Sequence, residues 1–284
     1  MHRVSVIILT HNKRLYTWAC LEGLLLTEGV ALEAIVVDNG STDGTFDLLS
    51  EMKRRFADAG RVLRWVANQE NVGCSVGRNQ GLDMAYGDYC VFMDNDVVAA
   101  DRAWAPKLIR ALEEEGAMLV GPKLVYPSEP HLIQCAGVGI SRSGRVQFRG
   151  RGEPRDGPEF GRRRECQALI SACLMFPYRL YEEIGGLDEA FGPIEFEDLD
   201  FCYRARAHGH KALYEPSAEM YHYESITSEG TDKLPNTYYI IKHGMLFKER
   251  WRHMFEQEDG PTDDECRWRT ISAPRQEPPA RPGS

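Results

Sequence analysis

Three short apolar runs in the N-terminal third of the chain stop abruptly at polar side chains, and this punctuation limits the chain to few architectures. Val4–Leu9 ends in Thr10-His11-Asn12, Ala34–Val37 in Asp38-Asn39-Gly40-Ser41, and Val91–Met93 in Asp94-Asn95-Asp96. A further run, Val62–Val66, lies between the second and third. All are rich in β-branched and apolar residues, as strands buried on both faces must be. Helical periodicity fills the gaps: Leu15, Trp18, Ala19, Leu21 and Leu25; then Phe46, Leu48, Leu49 and Met52; then Leu82 and Met84 after Arg78-Asn79. Strands alternating with helices at this spacing predict βαβ units and a mostly parallel sheet, an α/β fold. Such units place the carboxyl ends of their strands on one edge of the sheet, where open α/β folds hold ligands. The three polar lips are therefore expected around one crevice, although each alone would serve as a loop leading to a helix N-cap.

Asp94 and Asp96 sharpen that expectation. Two carboxylates one residue apart repel each other unless a cation lies between them, and hard oxygen ligands suit Mg²⁺ or Mn²⁺. A metal held by one or two protein carboxylates commonly completes its shell with substrate phosphates. A turn rich in Asp and Asn is the competing reading of the same residues. The other two lips favour a site.

The net charge of −9 and pI near 5.5 over 284 residues argue against a nucleic-acid partner, which needs a basic footprint. They leave room for an anionic nucleotide whose phosphates a metal neutralises. Eight cysteines are scattered without a C-x-x-C pair. That pattern predicts packing thiols in a reducing, cytoplasmic setting rather than a zinc site or a disulfide scaffold. Met-His-Arg leads directly into the first strand with no small-residue cleavage site, and no apolar run reaches the ~18–20 residues of a membrane span.

Beyond Asp96 the alternation loosens. Pro106–Glu115 reads as a helix, Met118–Val120 as a strand, and Ile133–Ile140 with Arg145–Phe148 as a hairpin around Ser141–Gly144. Ala168–Phe176 reads as a buried strand, and Tyr178–Ile184 as a short helix stopped by Gly185-Gly186. The Gly-, Arg- and Pro-rich stretch 149–164 predicts a mobile loop near a substrate, its arginines solvated in preference to phosphate-bound. Lys211–Tyr214 and Ala218–Tyr221 bracket a turn and lead to His222, which taken alone is structural by default.

Acids concentrate at Glu195, Glu197, Asp198 and Asp200. A helix over 198–208, basic towards its end at Arg204 and Arg206 and capped by Gly209, explains acids in its first turn through the helix dipole. Glu195 and Asp200 are assigned to that role, and the surplus leaves Glu197 or Asp198, equally, as a general base facing a cleft. Tyr238–Phe255 predicts a terminal helix that mixes Ile241, Met245 and Trp251 with Lys242, Lys248, Arg250 and Arg252. Packing against the domain is its default role, and docking on a membrane surface or a lipid-linked substrate is the alternative. Residues 257–284 are polar, Pro-rich and aperiodic, which predicts a disordered tail.

Taken in order, these stretches resemble the motifs of family 2 glycosyltransferases over residues 3–225. They are Val4 to Asn12 (VSVIILTHN), Val36 to Thr45 (VVDNGSTDGT), Asn71 to Gly81 (NVGCSVGRNQG), Phe92 to Asp96 (FMDND), Gly185 to Phe191 (GGLDEAF), Glu197 to Arg206 (EDLDFCYRAR) and His222. The segments around Gly121-Pro122-Lys123 and Arg149–Pro154 look most like the branch that builds bacterial polysaccharides, including rhamnosyl- and galactofuranosyltransferase-like enzymes.

The resemblance implies a GT-A fold: a Rossmann-like, mostly parallel central sheet flanked by helices. The catalytic domain would span 1–230, its nucleotide-binding half about 1–100 and its acceptor half about 101–230, followed by a C-terminal helix over 231–256. It also implies an inverting transfer from a UDP-, dTDP- or GDP-sugar to a hydroxyl of a glycan, a lipid-linked sugar or another acceptor, with Mn²⁺ or Mg²⁺ as cofactor. Asp38 matches the acid that contacts the base, with Thr10 and Asn12 lining the same pocket, and Arg78 lies at a nucleotide contact. Asp94 and Asn95 fall on the donor, Asp94 towards the ribose, while Asp96 and His222, with Asp94 beside them, fall on the metal. Asp198 matches the catalytic base and is preferred to Glu197. Two departures stand out: Gly77 where Ala is commoner, and Ser171-Ala172-Cys173 in place of a Gly-Ala start.

Three alternatives are weaker. A sugar-nucleotide pyrophosphorylase needs a Gly- and Arg-rich phosphate loop after the first strand, which Thr10-His11-Asn12-Lys13 is not. A dehydrogenase needs a G-x-G-x-x-G that is missing. The non-enzymatic alternative is a sugar-nucleotide-binding protein that has lost turnover.

Overall fold

The computed structural model of the chain describes residues 1–223, 236–269 and 271. Its first half is the expected alternation: β1 (Arg3–Thr10), α1 (Arg14–Leu25), β2 (Ala31–Asp38), α2 (Thr45–Asp58), β3 (Val62–Ala67), α3 (Cys74–Met84) and β4 (Tyr89–Asp94). The second half contains β5 (Val97–Ala99), α4 (Trp104–Glu115), β6 (Leu119–Val125), β7 (Ile133–Cys135), β8 (Val138–Ile140), β9 (Val146–Phe148) and β10 (Arg164–Cys166). It ends with β11 (Cys173–Pro177), α5 (Tyr178–Ile184), α6 (Glu197–Ala207), β12 (Ala212–His222) and α7 (Asn236–Phe255). Among the described residues one large sheet runs β10-β12-β6-β11-β4-β1-β2-β3, with β5 added to β12 and β7 to β6, while β8 and β9 form a separate hairpin. The β4-β1-β2-β3 block is entirely parallel. β11 then enters antiparallel beside β4, and β6 and β12 are parallel to each other.

The apolar runs of β1, β2 and β4 are buried, because helices cover both faces of the sheet. α3 lies close on β1 because Gly77 and Gly81 face it: a Cβ at Gly81 would overlap Ile7 Cγ2, and one at Gly77 would overlap Leu9 Cδ1. This close approach explains the Gly at position 77 and brings Arg78 to the end of β4. On the other side, Phe92 of β4, Phe176 of β11 and Phe201 of α6 meet with ring centroids 5.1–5.9 Å apart. Such aromatic pairs contribute about 0.5–1.5 kcal/mol each beyond area burial. They fix the first turn of α6 over the sheet.

Four expectations need correction. The strand expected over 168–176 begins only at Cys173 and runs on to Pro177. The segment around 211–221 is a single strand, β12, whose register with β6 breaks between Glu215 and Glu219; the turn signal was this irregularity. The 149–164 segment is tied down rather than loose. Arg155 pairs with Glu219 at 2.7 Å, Arg163 with Glu215 at 2.6 Å, and Pro158–Phe160 forms a 3-10 turn whose Phe160 is buried.

The fourth correction concerns the tail, because residues 257–269 pack on the domain. Glu258 accepts hydrogen bonds from Gln167 at 2.6 Å and Arg206 at 2.8 Å, and Asp263 accepts from Ser141 and Ser143, both at 2.7 Å. Trp268 stacks under Arg151 at 3.8 Å. These charged and aromatic anchors have no periodicity, so a pattern reading misses them. The 230/231 boundary lies outside the described residues. α7 packs through Tyr239, His243, Phe247 and Phe255 and leaves Tyr238, Ile241 and Met245 exposed. No helix among the described residues is long and apolar enough to cross a membrane.

Candidate functional site

The polar lips converge as parallel topology requires. Thr10 pairs with Asp38 across β1 and β2, and Leu9 with Asp94 across β1 and β4. Asp38, buried, accepts the Ser41 N–H at 3.0 Å and shapes its own loop. Asn12 and Lys13 both hold left-handed backbone angles, φ 59° and 62°. Such angles are uncommon outside glycine and persist where the surroundings over-determine them. Here Asn12 Oδ1 accepts the Thr42 N–H at 2.8 Å while the Asn12 N–H donates to Ser41 Oγ at 2.7 Å, so the first two lips are laced together.

Thr10 and Asn95 connect two of the lips. Both are buried, and Asn95 Nδ2 donates to Thr10 Oγ1 at 3.1 Å and to Thr17 Oγ1 at 3.0 Å. Their bonds brace the Asp94–Asp96 turn against β1 and α1.

Asp94, Asp96 and His222 come together. One ligand atom from each lies within 4.8 Å of the others. His222 Nε2 is 3.3 Å from Asp96 Oδ1 and 3.8 Å from Asp94 Oδ2. The antiparallel pairing of β5 with β12, which sets His222 opposite Val97, creates this proximity. Two carboxylates and one imidazole form a donor set suited to a divalent cation such as Mn²⁺. The other ring nitrogen, His222 Nδ1, lies 2.7 Å from Oε1 of buried Gln134 on β7.

Arg78 joins this cluster to the start of α6. Its guanidinium is 2% exposed and bonds Asp94 Oδ1 at 2.5 Å, the Ser171 carbonyl at 3.2 Å and, more closely, the Ser171 hydroxyl. Glu197 Oε1 is 4.0 Å away. Asp198 Oδ2 in turn accepts the Ser171 N–H at 3.0 Å and faces its hydroxyl at 3.4 Å. Burial raises the Asp198 carboxyl above the ordinary carboxylate range, partly offset by the Ser171 N–H and Arg78. Burial, then the Asp198 charge, pushes Glu197 up to about 8. Two adjacent acids in one buried site do not both ionise readily.

Glu195 and Asp200 part company. Asp200, fully buried, binds Arg204 at 2.9 Å, Arg250 at 3.2 Å and the Trp251 indole N–H at 2.9 Å, so it anchors α7 to α6. Glu195 instead sits at φ 82°, followed by Phe196 at φ 70°, and burial beside Asp198 raises its carboxyl to about 7. The charge of Asp198 reaches it, whereas Asp200 is engaged by α7. Gln134 carries no sequence signal at all, because it lies in a three-residue strand. Ser171 was visible only as a departure from the motif.

The family model of glycosyl transferase family 2 matches residues 5–137. That stretch, just under half of the chain, is similar to glycosyltransferase family 2. Its match covers the crevice from Thr10 to Asp96 and includes Gln134; Ser171, Asp198 and His222 lie beyond it. Among curated relatives, the protein y4gI of Sinorhizobium fredii is 29% identical over 88% of this chain and 27% of its own length. The O-antigen biosynthesis protein RfbC of Myxococcus xanthus is 27% identical over 74% of the chain and 16% of its own length. The teichuronic acid biosynthesis glycosyltransferase TuaG of Bacillus subtilis is 34% identical over 39% and 40%. The chain thus spans well under two thirds of these relatives. The GT-A fold is shared with GalNAc-T7, solved with UDP, GalNAc and Mn²⁺ (TM-score 0.63, 14% identity, 78% of this chain and 44% of that one). It is also shared with the mannosyltransferase PcManGT of Pyrobaculum calidifontis, solved with GDP-Man and Mn²⁺ (TM-score 0.60, 19% identity, 90% and 71%). The match weighs against the pyrophosphorylase and dehydrogenase readings.

Proposed function

We propose that this chain is a metal-dependent inverting glycosyltransferase that moves a sugar from a nucleoside-diphosphate donor to an acceptor hydroxyl. The observation that carries the reading is contiguity: Asp94, Arg78, Ser171 and Asp198 form an unbroken set of hydrogen bonds from the carboxylate–imidazole cluster to the start of α6. The Mn²⁺ in both structural neighbours supports a divalent cation at Asp94, Asp96 and His222. Such an ion, when bound, offsets the charge of the departing diphosphate. Asp38 and Asn12 face the nucleoside from the β1 and β2 ends. Asp198, the acid nearest the Ser171 donors, takes the acceptor proton as that oxygen attacks the anomeric carbon, and a single displacement inverts the centre. Neighbouring Glu197, held protonated, adds no second negative charge beside the base. The names of RfbC and TuaG support an acceptor in bacterial polysaccharide assembly.

A thermal-shift screen with UDP-, GDP- and dTDP-sugars, with Mn²⁺, with Mg²⁺ or with EDTA, tests the reading. Donor binding to the native state raises its melting temperature. A metal-dependent rise with one nucleotide class is expected; no rise with any donor would defeat the proposal.

A further inference from the structure

We propose that Gln134 is a positioning residue that holds His222 in its metal-binding tautomer. The inference rests on the metal-centre reading above and extends it to a residue outside the motifs. Gln134 is 1% exposed at the middle of β7. β6 carries both β7 and β12, pairing Leu124 with Cys135 on one side and with Met220 on the other. Gln134 and His222 are thereby fixed by the same strand, and Gln134 Oε1 lies 2.7 Å from His222 Nδ1.

An amide oxygen only accepts, so the ring nitrogen facing it must carry the proton. With hydrogen on Nδ1, the lone pair resides on Nε2, the atom 3.3 Å from Asp96 and 3.8 Å from Asp94. The opposite tautomer would aim an N–H at both carboxylates and leave no lone pair for a cation between them. The other end of the same amide, Nε2, is buried without a hydrogen-bond partner among the described residues. A buried amide with one end unsatisfied is unusual. Only its carbonyl end is engaged, and what it engages is the histidine. Outer partners of this kind fix ring orientation and raise ligand basicity, and their loss commonly weakens metal affinity by about 10–100-fold.

The test compares Mn²⁺ dissociation constants, by electron paramagnetic resonance, for the full chain, Asp96→Asn, Gln134→Leu and Gln134→Glu. Gln134→Leu is expected to bind about 10–100-fold more weakly, and Gln134→Glu, which keeps an acceptor, to recover affinity to within about threefold of the unaltered protein. A folded Gln134→Leu that binds Mn²⁺ as tightly as the unaltered protein overturns this inference alone. An unaltered chain that binds no Mn²⁺, or binds it no better than Asp96→Asn, overturns the metal centre and this inference with it. Nitrogen NMR of His222 in the unaltered, metal-free protein decides the matter even if the Leu variant does not fold. In the neutral ring hydrogen on Nδ1 is expected, and hydrogen on Nε2 with none on Nδ1 overturns the assignment.

Discussion

The Ser171 hydroxyl stands between Arg78 and Asp198, 3.4 Å from the Asp198 Oδ2 that also takes the Ser171 N–H at 3.0 Å. A residue that departs from the family pattern is thus the joint between the carboxylate–imidazole cluster and the proposed base. Ser171→Gly keeps the main-chain donor and removes the hydroxyl. We expect a loss of about 1 kcal/mol in transition-state stabilisation, roughly a fivefold drop in kcat, with donor KM nearly unchanged. A rise in donor KM at constant kcat would instead assign Ser171 to substrate binding.

Asp198 and Glu197 are neighbours with opposite expected behaviour. Asp198→Asn removes the proposed proton acceptor and should lower kcat by about 10²–10⁴-fold while donor binding persists. Glu197→Gln replaces a protonated acid by a neutral amide of similar shape and should keep most of the activity. Steady-state transfer assays on both variants decide the assignment; near-normal turnover by Asp198→Asn, or collapse in Glu197→Gln alone, reverses it.

Arg78 meets Asp94 and Ser171 with different edges of one planar fork. Lysine offers a single point of charge and cannot reproduce that arrangement. Arg78→Lys should lose about 1–3 kcal/mol of stability, since buried donors and acceptors are left unmade, and should bind Mn²⁺ more weakly because Asp94 loses its brace. Chemical denaturation and metal titration read the two effects separately. Unchanged Mn²⁺ affinity in a destabilised variant would limit Arg78 to a structural role.

The parallel half of the fold and its polar edge were legible because period and punctuation are local properties. Val4–Leu9 followed by Thr10 carries both signals within seven residues. The second half was harder, because its contacts are set by strand order rather than by neighbours in the chain. His222 joins Asp96 only through the β5 and β12 pairing, and Gln134 joins His222 only through β6. The packed residues 257–269 were missed for a related reason: Glu258, Asp263 and Trp268 act as isolated anchors. Glu195 and Asp200 looked alike in a run of acids, yet one is raised by burial and the Asp198 charge and the other binds Arg204, Arg250 and Trp251.

Two glutamates should give the metal-free fold opposite pH responses. Burial and the Asp198 charge raise Glu197 from 4.5 to about 8, so the folded chain retains a proton that the unfolded chain releases. Its contribution is fully present below about pH 4.5 and declines as pH rises through about 8. Glu197→Gln removes that dependence and should give a flatter melting temperature between about pH 5 and 8, overtaking the unaltered protein above it. Glu258 behaves in the other sense. Burial opposes its ionisation, but bonds from Arg206 and Gln167 prevail and lower its value below 4.5. Its contribution is present above about pH 4.5 and is lost as pH falls through the folded value. Glu258→Gln should therefore melt earlier than the unaltered protein at pH 7 and converge with it in acid. Thermal melts in EDTA across this range separate the two, and an unaltered slope in Glu197→Gln would mean that Glu197 is ionised in the fold.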